Sequence, residues 1–258
     1  MKTETSRFAA STLFEGMTSI RAVINSSVNG ISDRRVEKVL IDRDRVEAKK
    51  KDLEYLRTVS KKLSFEIELV NSSEISAIAV GNSHGGIVAY CSNRTITPLS
   101  DGSIIKDGFY VMIEGIEDPY NFGYAIRSIY AAGADGVILS PRNWMSAAGV
   151  VCRSSAGASE LMPLFIAEPS EAVETFKRSG YKAVAAGIRD SVSAYEADLT
   201  RPVFLIVGGE KRGISRAVLD RCDQIVRLDY GREFRASLSA ASAASILAYE
   251  VLRQNIDK

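Results

Sequence analysis

The sequence predicts an α/β fold in which a largely parallel sheet is covered by helices. Short apolar runs that are typical of buried strands alternate with helical patterns over the C-terminal part of the chain. The predicted strands of this part span residues 110–114, 136–140, 183–186 and 203–207. The predicted helices span residues 122–133, 144–155, 170–180, 214–220 and 237–253. Such alternation indicates parallel strands joined by helical crossovers.

The N-terminal part predicts a smaller α/β unit of its own. Residues 36–41 and 65–70 read as strands, and the charged stretch between them carries Leu53, Leu56 and Val59 at helical spacing. A further strand is expected near residues 84–90, and the turn-rich Pro-Leu-Ser-Asp-Gly at 98–102 suits a linker. We therefore expect an N-terminal domain over 1–97, a linker over 98–107 and a second domain over 108–258.

Composition indicates a soluble globular protein with free thiols. The chain has 258 residues and a hydrophobic content of 46%, which is enough for a substantial core. No apolar run approaches the roughly 18 residues of a membrane span, and the polar N-terminus does not look like a signal peptide. A cytoplasmic location is expected. The three cysteines and the single histidine, His84, lack metal-binding spacing, so neither a disulfide framework nor a metal site is predicted.

Basic residues are concentrated in the N-terminal part. The net charge of the whole chain is +1, yet residues 34–62 contain 11 basic and 6 acidic side chains. This stretch could attract the phosphates of a nucleic acid. A solvated helix face with Glu and Lys at helical spacing gives the same pattern, so charge alone leaves both interpretations open.

A glycine-rich turn follows the last predicted strand. The segment Phe-Leu-Ile-Val-Gly-Gly-Glu-Lys-Arg-Gly-Ile-Ser at 204–215 delivers Glu210 to the carboxyl end of that strand, where open α/β sheets bind ligands. A phosphate-binding loop would need a Lys at the position of Ile214, and the dinucleotide fingerprint does not fit. Two alternatives remain. The segment could be a structural turn with a solvated Glu, or the protein could be a small-molecule enzyme that binds a nucleotide here.

Three segments together resemble the motifs of the SpoU (TrmH) RNA methyltransferases. They are Asp-Pro-Tyr-Asn-Phe-Gly-Tyr-Ala-Ile-Arg at 118–127, Gly-Gly-Glu-Lys-Arg-Gly at 208–213 and Ser-Leu-Ser-Ala-Ala-Ser-Ala-Ala at 237–244. The similarity extends to His-Gly-Gly-Ile at 84–87, Ala-Ala-Gly-Ala-Asp-Gly-Val-Ile at 131–138 and Ser-Ser-Ala-Gly-Ala-Ser at 154–159. Nearly the whole chain after about residue 18 is covered.

The resemblance implies a fold and an activity. The fold would be a SPOUT-type parallel sheet with a C-terminal trefoil knot, preceded by a small ribosomal-protein-like RNA-binding domain. The activity would be S-adenosylmethionine-dependent methyl transfer to a ribose 2′-hydroxyl of rRNA or tRNA by a homodimer. A catalytically impaired paralogue that acts as an RNA-binding protein is the alternative.

The resemblance also implies roles for individual residues. The implied catalytic residues are Asn121, Arg127, Glu210, Ser237 and Ser239. The implied cofactor-binding residues are Gly208, Gly209, Leu228 and Leu238. A guanidinium essentially never deprotonates, so Arg127 is expected to orient RNA and stabilise charge and not to act as a base, with Glu210 holding its partners in place.

Three departures from the family pattern lie in the expected catalytic and cofactor regions. Ser239 stands where the family usually has Asn, and a short hydroxyl lacks the reach of an amide. The segment Leu228-Asp-Tyr230 stands where Ile-Pro-Met is usual, and Gly209 replaces a frequent polar residue. These departures predict a divergent cofactor pocket.

Overall fold

The computed structural model describes residues 12–141, 147–209, 212–233 and 236–256. In chain order the strands are β1 (Leu13–Glu15), β2 (Val36–Asp42), β3 (Glu66–Val70), β4 (Ile87–Cys91), β5 (Thr97–Pro98), β6 (Phe109–Glu114), β7 (Gly136–Leu139), β8 (Leu164–Ile166), β9 (Lys182–Ala186), β10 (Val192–Ser193), β11 (Val203–Gly208) and β12 (Gln224–Arg227). The α-helices are α1 (Gly16–Val28), α2 (Lys50–Leu63), α3 (Ser72–Ile78), α4 (Pro119–Ala131), α5 (Ala148–Ser154), α6 (Ala158–Leu161), α7 (Pro169–Arg178), α8 (Arg216–Leu219) and α9 (Ala240–Asn255).

The described residues form two compact units. The first falls within Met1–Thr95 and Asn143–Leu161, and the second within Ile96–Arg142 and Met162–Lys258. The domain bounds expected from the sequence, 1–97 and 108–258, stay a prediction. Within the described residues, no helix is both long enough and apolar enough to cross a membrane.

The first unit is built on a four-stranded sheet in the order β1-β4-β2-β3. Strands β2 and β3 are parallel, with α2 between them in the chain, so the βαβ unit expected from the alternation is confirmed. Leu53 and Leu56 bury one face of α2 in the core, while its lysines point to solvent. Helix α1, which was not predicted, buries Ile20 and Val23 in the same core.

The second unit contains an eight-stranded sheet in the order β10-β12-β9-β11-β6-β7-β8-β5. Every pairing between the described strands of this sheet is parallel, which confirms the α/β class. The apolar runs at 110–114 and 203–207 become the adjacent central strands β6 and β11, both almost wholly buried. The trefoil knot stays a prediction.

An aromatic cluster anchors the centre of this sheet. The ring of Phe176 on α7 stacks on Phe204 of β11, with centroids 4.0 Å apart, and lies 5.0 Å from Tyr110 of β6. Large rings of this kind bury much apolar area and hold α7 on the sheet. On the C-terminal side of the chain, α9 packs against α4.

Some element boundaries differ from the sequence-based prediction for local reasons. Helix α9 begins at Ala240 and not at residue 237, because Ser239 caps its N-terminus. Helix α5 spans Ala148–Ser154 of the predicted 144–155, and residues 144–146 lie outside the described residues. Strand β12 was not predicted, since Gln-Ile-Val-Arg contains only two central apolar residues.

Candidate functional site

A cavity of about 860 Å³ opens at the carboxyl ends of three neighbouring parallel strands, β9, β11 and β12. In open α/β sheets ligands bind at this edge, where chain connections diverge. The volume falls in the usual range for small-molecule and cofactor sites. The lining residues are Ala186, Gly187, Ile188, Arg189, Asp190, Val207, Gly208, Gly209, Gly213, Ile214, Arg216, Leu219, Asp220, Ile225, Val226, Arg227, Leu228, Asp229, Tyr230, Ser237, Leu238, Ala240, Ala243 and Leu247.

The turn after β11 forms one wall of this cavity with its backbone. Gly213 N donates to Gly209 O at 3.0 Å, which closes the turn. A Cβ atom on Gly208 would lie 2.5 Å from Gly213 C and 2.6 Å from Ile214 N, so this tight turn excludes a side chain. The glycine pair that the sequence singled out therefore brings main chain, and not side chains, to the cavity.

The end of β12 forms a second wall, which polar contacts fix in place. Arg227 Nε donates to Asp229 Oδ1 at 2.9 Å, and Arg227 Nη1 donates to Ser191 O at 2.7 Å. The pKa of Asp229 is lowered, first by a hydrogen bond with the Ser193 side chain and then by Arg227. Asp229 therefore stays an anion at neutral pH.

The third wall comes from the residues that precede α9. The Leu238 N–H donates to the Tyr230 hydroxyl at 3.2 Å, and Ser237 and Leu238 both line the cavity. Ser239 turns to the helix instead, because its Oγ accepts from Ser242 N at 3.1 Å. Ser239 thus acts as the N-cap of α9.

Helix α4 carries Asn121 and Arg127 outside the cavity lining. Asp118 caps this helix by accepting from Asn121 N at 2.8 Å. Arg127 is exposed and forms no ion pair with any residue that the structure describes. Its cation is therefore available to an anionic partner.

The structure brings together five of the nine predicted site residues. Those at the cavity are Gly208, Gly209, Leu228, Ser237 and Leu238. Of the other predicted residues that the structure describes, Asn121, Arg127 and Ser239 lie outside the lining, and Glu210 falls outside the described residues. The functional roles of all nine remain predictions.

Sequence reasoning missed the wall formed by the residues after β9. Residues Ala186–Asp190 line the cavity beside β12. The signal was present, because Gly187 follows an apolar strand just as Gly208 ends β11. Tyr230 was expected in the cofactor region as part of the Leu228-Asp-Tyr230 segment, and it lies in the cavity lining.

The chemistry of the cavity suits a ligand with both apolar and charged parts. Apolar side chains such as Ile214, Leu219 and Leu247 are combined with ionised groups. Arg216 pairs with Asp220 at 2.8 Å, so much of the lining charge is balanced within the protein. Among the described residues, no group of three or more His, Cys, Asp or Glu side chains is arranged to hold a metal ion.

Among known proteins, the chain is similar to RNA methyltransferases. The chain is 27% identical to a Staphylococcus saprophyticus protein assigned to the TrmH family of tRNA/rRNA methyltransferases, over 87% of this chain and 90% of that protein. It is 25% identical to the 23S rRNA (guanosine-2′-O-)-methyltransferase RlmB of Coxiella burnetii, over 88% and 93%.

Solved structures show the same fold. The SpoU methyltransferase AviRb from Streptomyces viridochromogenes, in complex with the cofactor AdoMet, superposes with a TM-score of 0.79 at 24% identity and covers 98% of each chain. The AdoMet-bound rRNA methyltransferase from Sinorhizobium meliloti superposes with a TM-score of 0.79 at 21% identity, over 96% of this chain and 93% of that one.

The family model described as SpoU rRNA Methylase matches residues 108–249, which is more than half of the chain. This range includes all of the segments that line the cavity. The chain therefore belongs to the SpoU rRNA methylase family.

Proposed function

We propose that this protein is an S-adenosylmethionine-dependent RNA methyltransferase that acts on a ribose 2′-hydroxyl of rRNA or tRNA. The observation that carries the proposal is the cavity at the ends of β9, β11 and β12, which gathers residues from two of the three motif segments. Family membership and the 2′-O-methyltransferase name of the Coxiella burnetii relative support the reaction type.

The residues present fit this cofactor. Leu219, Leu228 and Leu238 offer apolar surface to an adenine ring, and the Gly208 turn offers main-chain groups at close approach. The carboxylates of Asp190 and Asp229 can accept hydrogen bonds from ribose hydroxyls or from an ammonium group. When bound, S-adenosylmethionine supplies an electrophilic methyl group.

The remaining chemistry falls to positioning, because methyl transfer needs the 2′-oxygen in line with the methyl group. In the proposal Arg127 binds an RNA phosphate or ribose and stabilises charge near the hydroxyl. Its exposure and lack of an ion pair among the described residues suit this role. Asn121, Glu210, Ser237 and Ser239 are proposed to complete the arrangement.

A homodimer is part of the proposal. Helices α4 and α9 pack together and expose large side chains: Tyr120 and Tyr124 on α4 are 39% and 51% exposed, and Ile246 and Tyr249 on α9 are 38% and 50% exposed. Exposed apolar groups on adjacent helices are typical of an interface. Arg127 is three residues from Tyr124, so dimerisation by this face would place it at the subunit boundary. Analytical ultracentrifugation of Tyr249→Glu, expected to yield monomers, tests this interface.

The first unit is proposed to bind the RNA. The exposed side of α2 carries Lys50, Lys51, Arg57, Lys61 and Lys62. Since phosphate contacts release counterions, RNA affinity should fall steeply with salt. A double change of Lys61 and Lys62 to Glu should weaken RNA binding and flatten this salt dependence while leaving S-adenosylmethionine affinity unchanged. An unaltered RNA affinity would remove α2 from the proposal.

Calorimetric titration with S-adenosylmethionine is the decisive experiment, followed by transfer of a labelled methyl group to total rRNA and tRNA. Two results would support the proposal. The first is saturable binding of S-adenosylmethionine near one site per chain. The second is a labelled RNA whose phosphodiester bond next to the methylated ribose resists alkaline cleavage. A folded protein that binds neither the cofactor alone nor the cofactor in the presence of RNA would contradict it.

A further inference from the structure

Tyr230 connects two parts of the cavity wall. Its hydroxyl accepts a hydrogen bond from the Leu238 N–H at 3.2 Å, and the two residues lie eight positions apart in the chain. Both residues line the cavity, and Tyr230 is 40% exposed. The hydroxyl therefore joins the end of β12 to the start of α9, where Ser239 caps the helix.

The end of β12 also forms hydrogen bonds with the loop after β9. Arg227 bonds both Asp229 Oδ1 and Ser191 O, and Asp229 also bonds the Ser193 side chain. The residues at the end of β12 therefore connect the loop after β9 with the start of α9, and all three segments surround one cavity. Tyr230 forms the link to the third of these segments.

This link depends on the side chains that distinguish the segment. The segment reads Leu228-Asp-Tyr230, where the resemblance to the SpoU family implies Ile-Pro-Met. Neither Pro nor Met carries a carboxylate or a hydroxyl, so that sequence could make neither the Arg227 ion pair nor the bond to Leu238. These polar contacts therefore depend on Asp229 and Tyr230.

We propose that Tyr230 is a positioning residue that holds the cavity wall in its binding shape for an adenosine ligand. The inference rests on the proposed function, since it takes S-adenosylmethionine as that ligand. A wall already ordered before binding loses less conformational entropy when the ligand arrives, so a preorganised site binds more tightly. The hydroxyl acts through Leu238 and the wall, and it need not touch the ligand.

Tyr230→Phe tests the proposal because it removes one oxygen and keeps the ring. The loss of one hydrogen bond should raise the Kd for S-adenosylmethionine and for S-adenosylhomocysteine by about three- to tenfold. The effect should appear in the dissociation rate measured by stopped flow, with an unchanged association rate, since affinity changes of this kind fall mostly on dissociation. At saturating cofactor, kcat should be unchanged.

Limited proteolysis gives a second measurement that needs no ligand. Arg232 is exposed between the two bonded residues, so trypsin cleavage after Arg232 should be faster in Tyr230→Phe when the wall opens more often. Tyr130→Phe is the matched control, because Tyr130 is 41% exposed, lies on α4 and does not line the cavity. Its Kd and its cleavage rate should equal those of the wild type.

The possible outcomes separate this inference from the proposed function. If the wild type does not bind S-adenosylmethionine, both the proposed function and the ligand named here are wrong. In that case faster cleavage of Tyr230→Phe would still show that the Tyr230 hydroxyl holds the wall together. If the wild type binds and Tyr230→Phe keeps both the wild-type Kd and the wild-type cleavage rate, the positioning role is overturned. A raised Kd without faster cleavage would also contradict it, because the hydroxyl would then act on the ligand directly.

Discussion

Arg34 and Glu160 form a buried ion pair within the first unit, with Arg34 Nε donating to Glu160 Oε2 at 3.1 Å, although 126 residues separate them in the chain. Their side chains are only 2% and 4% exposed. A second buried cation, Arg94, lies 4.0 Å from the same carboxylate and donates to Ser159 O. Two buried guanidinium groups therefore share one carboxylate, which holds α6 against the rest of the unit.

We expect Glu160→Ala to lower the free energy of unfolding by about 3–5 kcal/mol, because removing one partner leaves buried charge without compensation. Urea unfolding followed by circular dichroism measures the change. Asp101→Asn is the control, since its ion pair with Arg178 is 61–70% exposed and such pairs contribute about 0–1 kcal/mol. Equal effects of the two substitutions would show that burial of the Arg34 pair does not matter.

Gly208→Ala should abolish or greatly weaken S-adenosylmethionine binding. The new Cβ would lie 2.5 Å from Gly213 C, and backbone must move to admit it, at a cost of about 1–3 kcal/mol. Calorimetry and thermal unfolding report the two effects. Gly102→Ala should change neither, because no heavy atom lies within 4 Å of its Cβ. Full affinity in Gly208→Ala would show that this turn is not part of the cofactor site.

Ser239→Ala should destabilise the protein by about 1 kcal/mol through loss of the α9 N-cap. Ser239→Asn should keep that stability, because Asn is an equally good cap. The difference is measured as the shift in Tm. If Ser239→Asn raises the rate of methyl transfer, the serine at this position makes the wild-type protein less active than it would be with Asn. If Ser239→Asn loses activity at an unchanged Tm, a catalytic role for the serine itself is favoured.

Arg127→Ala should reduce methyl transfer by about 10²-fold or more, since groups that stabilise developing charge commonly contribute this much. Cofactor affinity and Tm should stay at wild-type values, because Arg127 is exposed and lies outside the cavity lining. Arg178→Ala removes another exposed arginine of the second unit and should leave transfer intact. Unchanged turnover in Arg127→Ala would end its assignment to the reaction.

The cysteine thiols should react slowly in the folded protein at pH 8. Burial raises the pKa of Cys222 to about 12 and also raises the pKa values of Cys91 and Cys152. Only the thiolate attacks Ellman's reagent, so unfolding in urea should accelerate the reaction. A fast native reaction of all three thiols would contradict their burial.

The same pKa shifts make stability depend on alkaline pH. The folded protein holds its thiol protons more tightly than the unfolded chain, whose thiols ionise near 9.0. Stability from this source is thus complete below pH 9 and declines as the pH rises towards about 12. Cys222→Ala should reduce the decline in Tm above pH 9.

The sequence alone determined the main strands, the α/β class and the family. Local apolar periodicity located β6 and β11 within a residue or two, because a buried strand needs a continuous apolar run. The Gly208-Gly209 pair marked the end of β11 at which the cavity opens, since glycine permits close backbone approach. Ser239 was read as a catalytic position, while its contact with Ser242 N identifies it as a helix cap as well.

Only the tertiary structure decided which of these elements meet. The sheet order sets β12 beside β9, and this adjacency makes Gly187 and Tyr230 walls of one cavity. The Arg34–Glu160 pair likewise joins residues that no local pattern connects. Periodicity reports which face of a segment is buried, whereas the partner of that face depends on packing across the whole chain. For this reason the glycine turn, Leu228 and Leu238 could be placed in one site before the structure was known, but the wall at residues 186–190 could not.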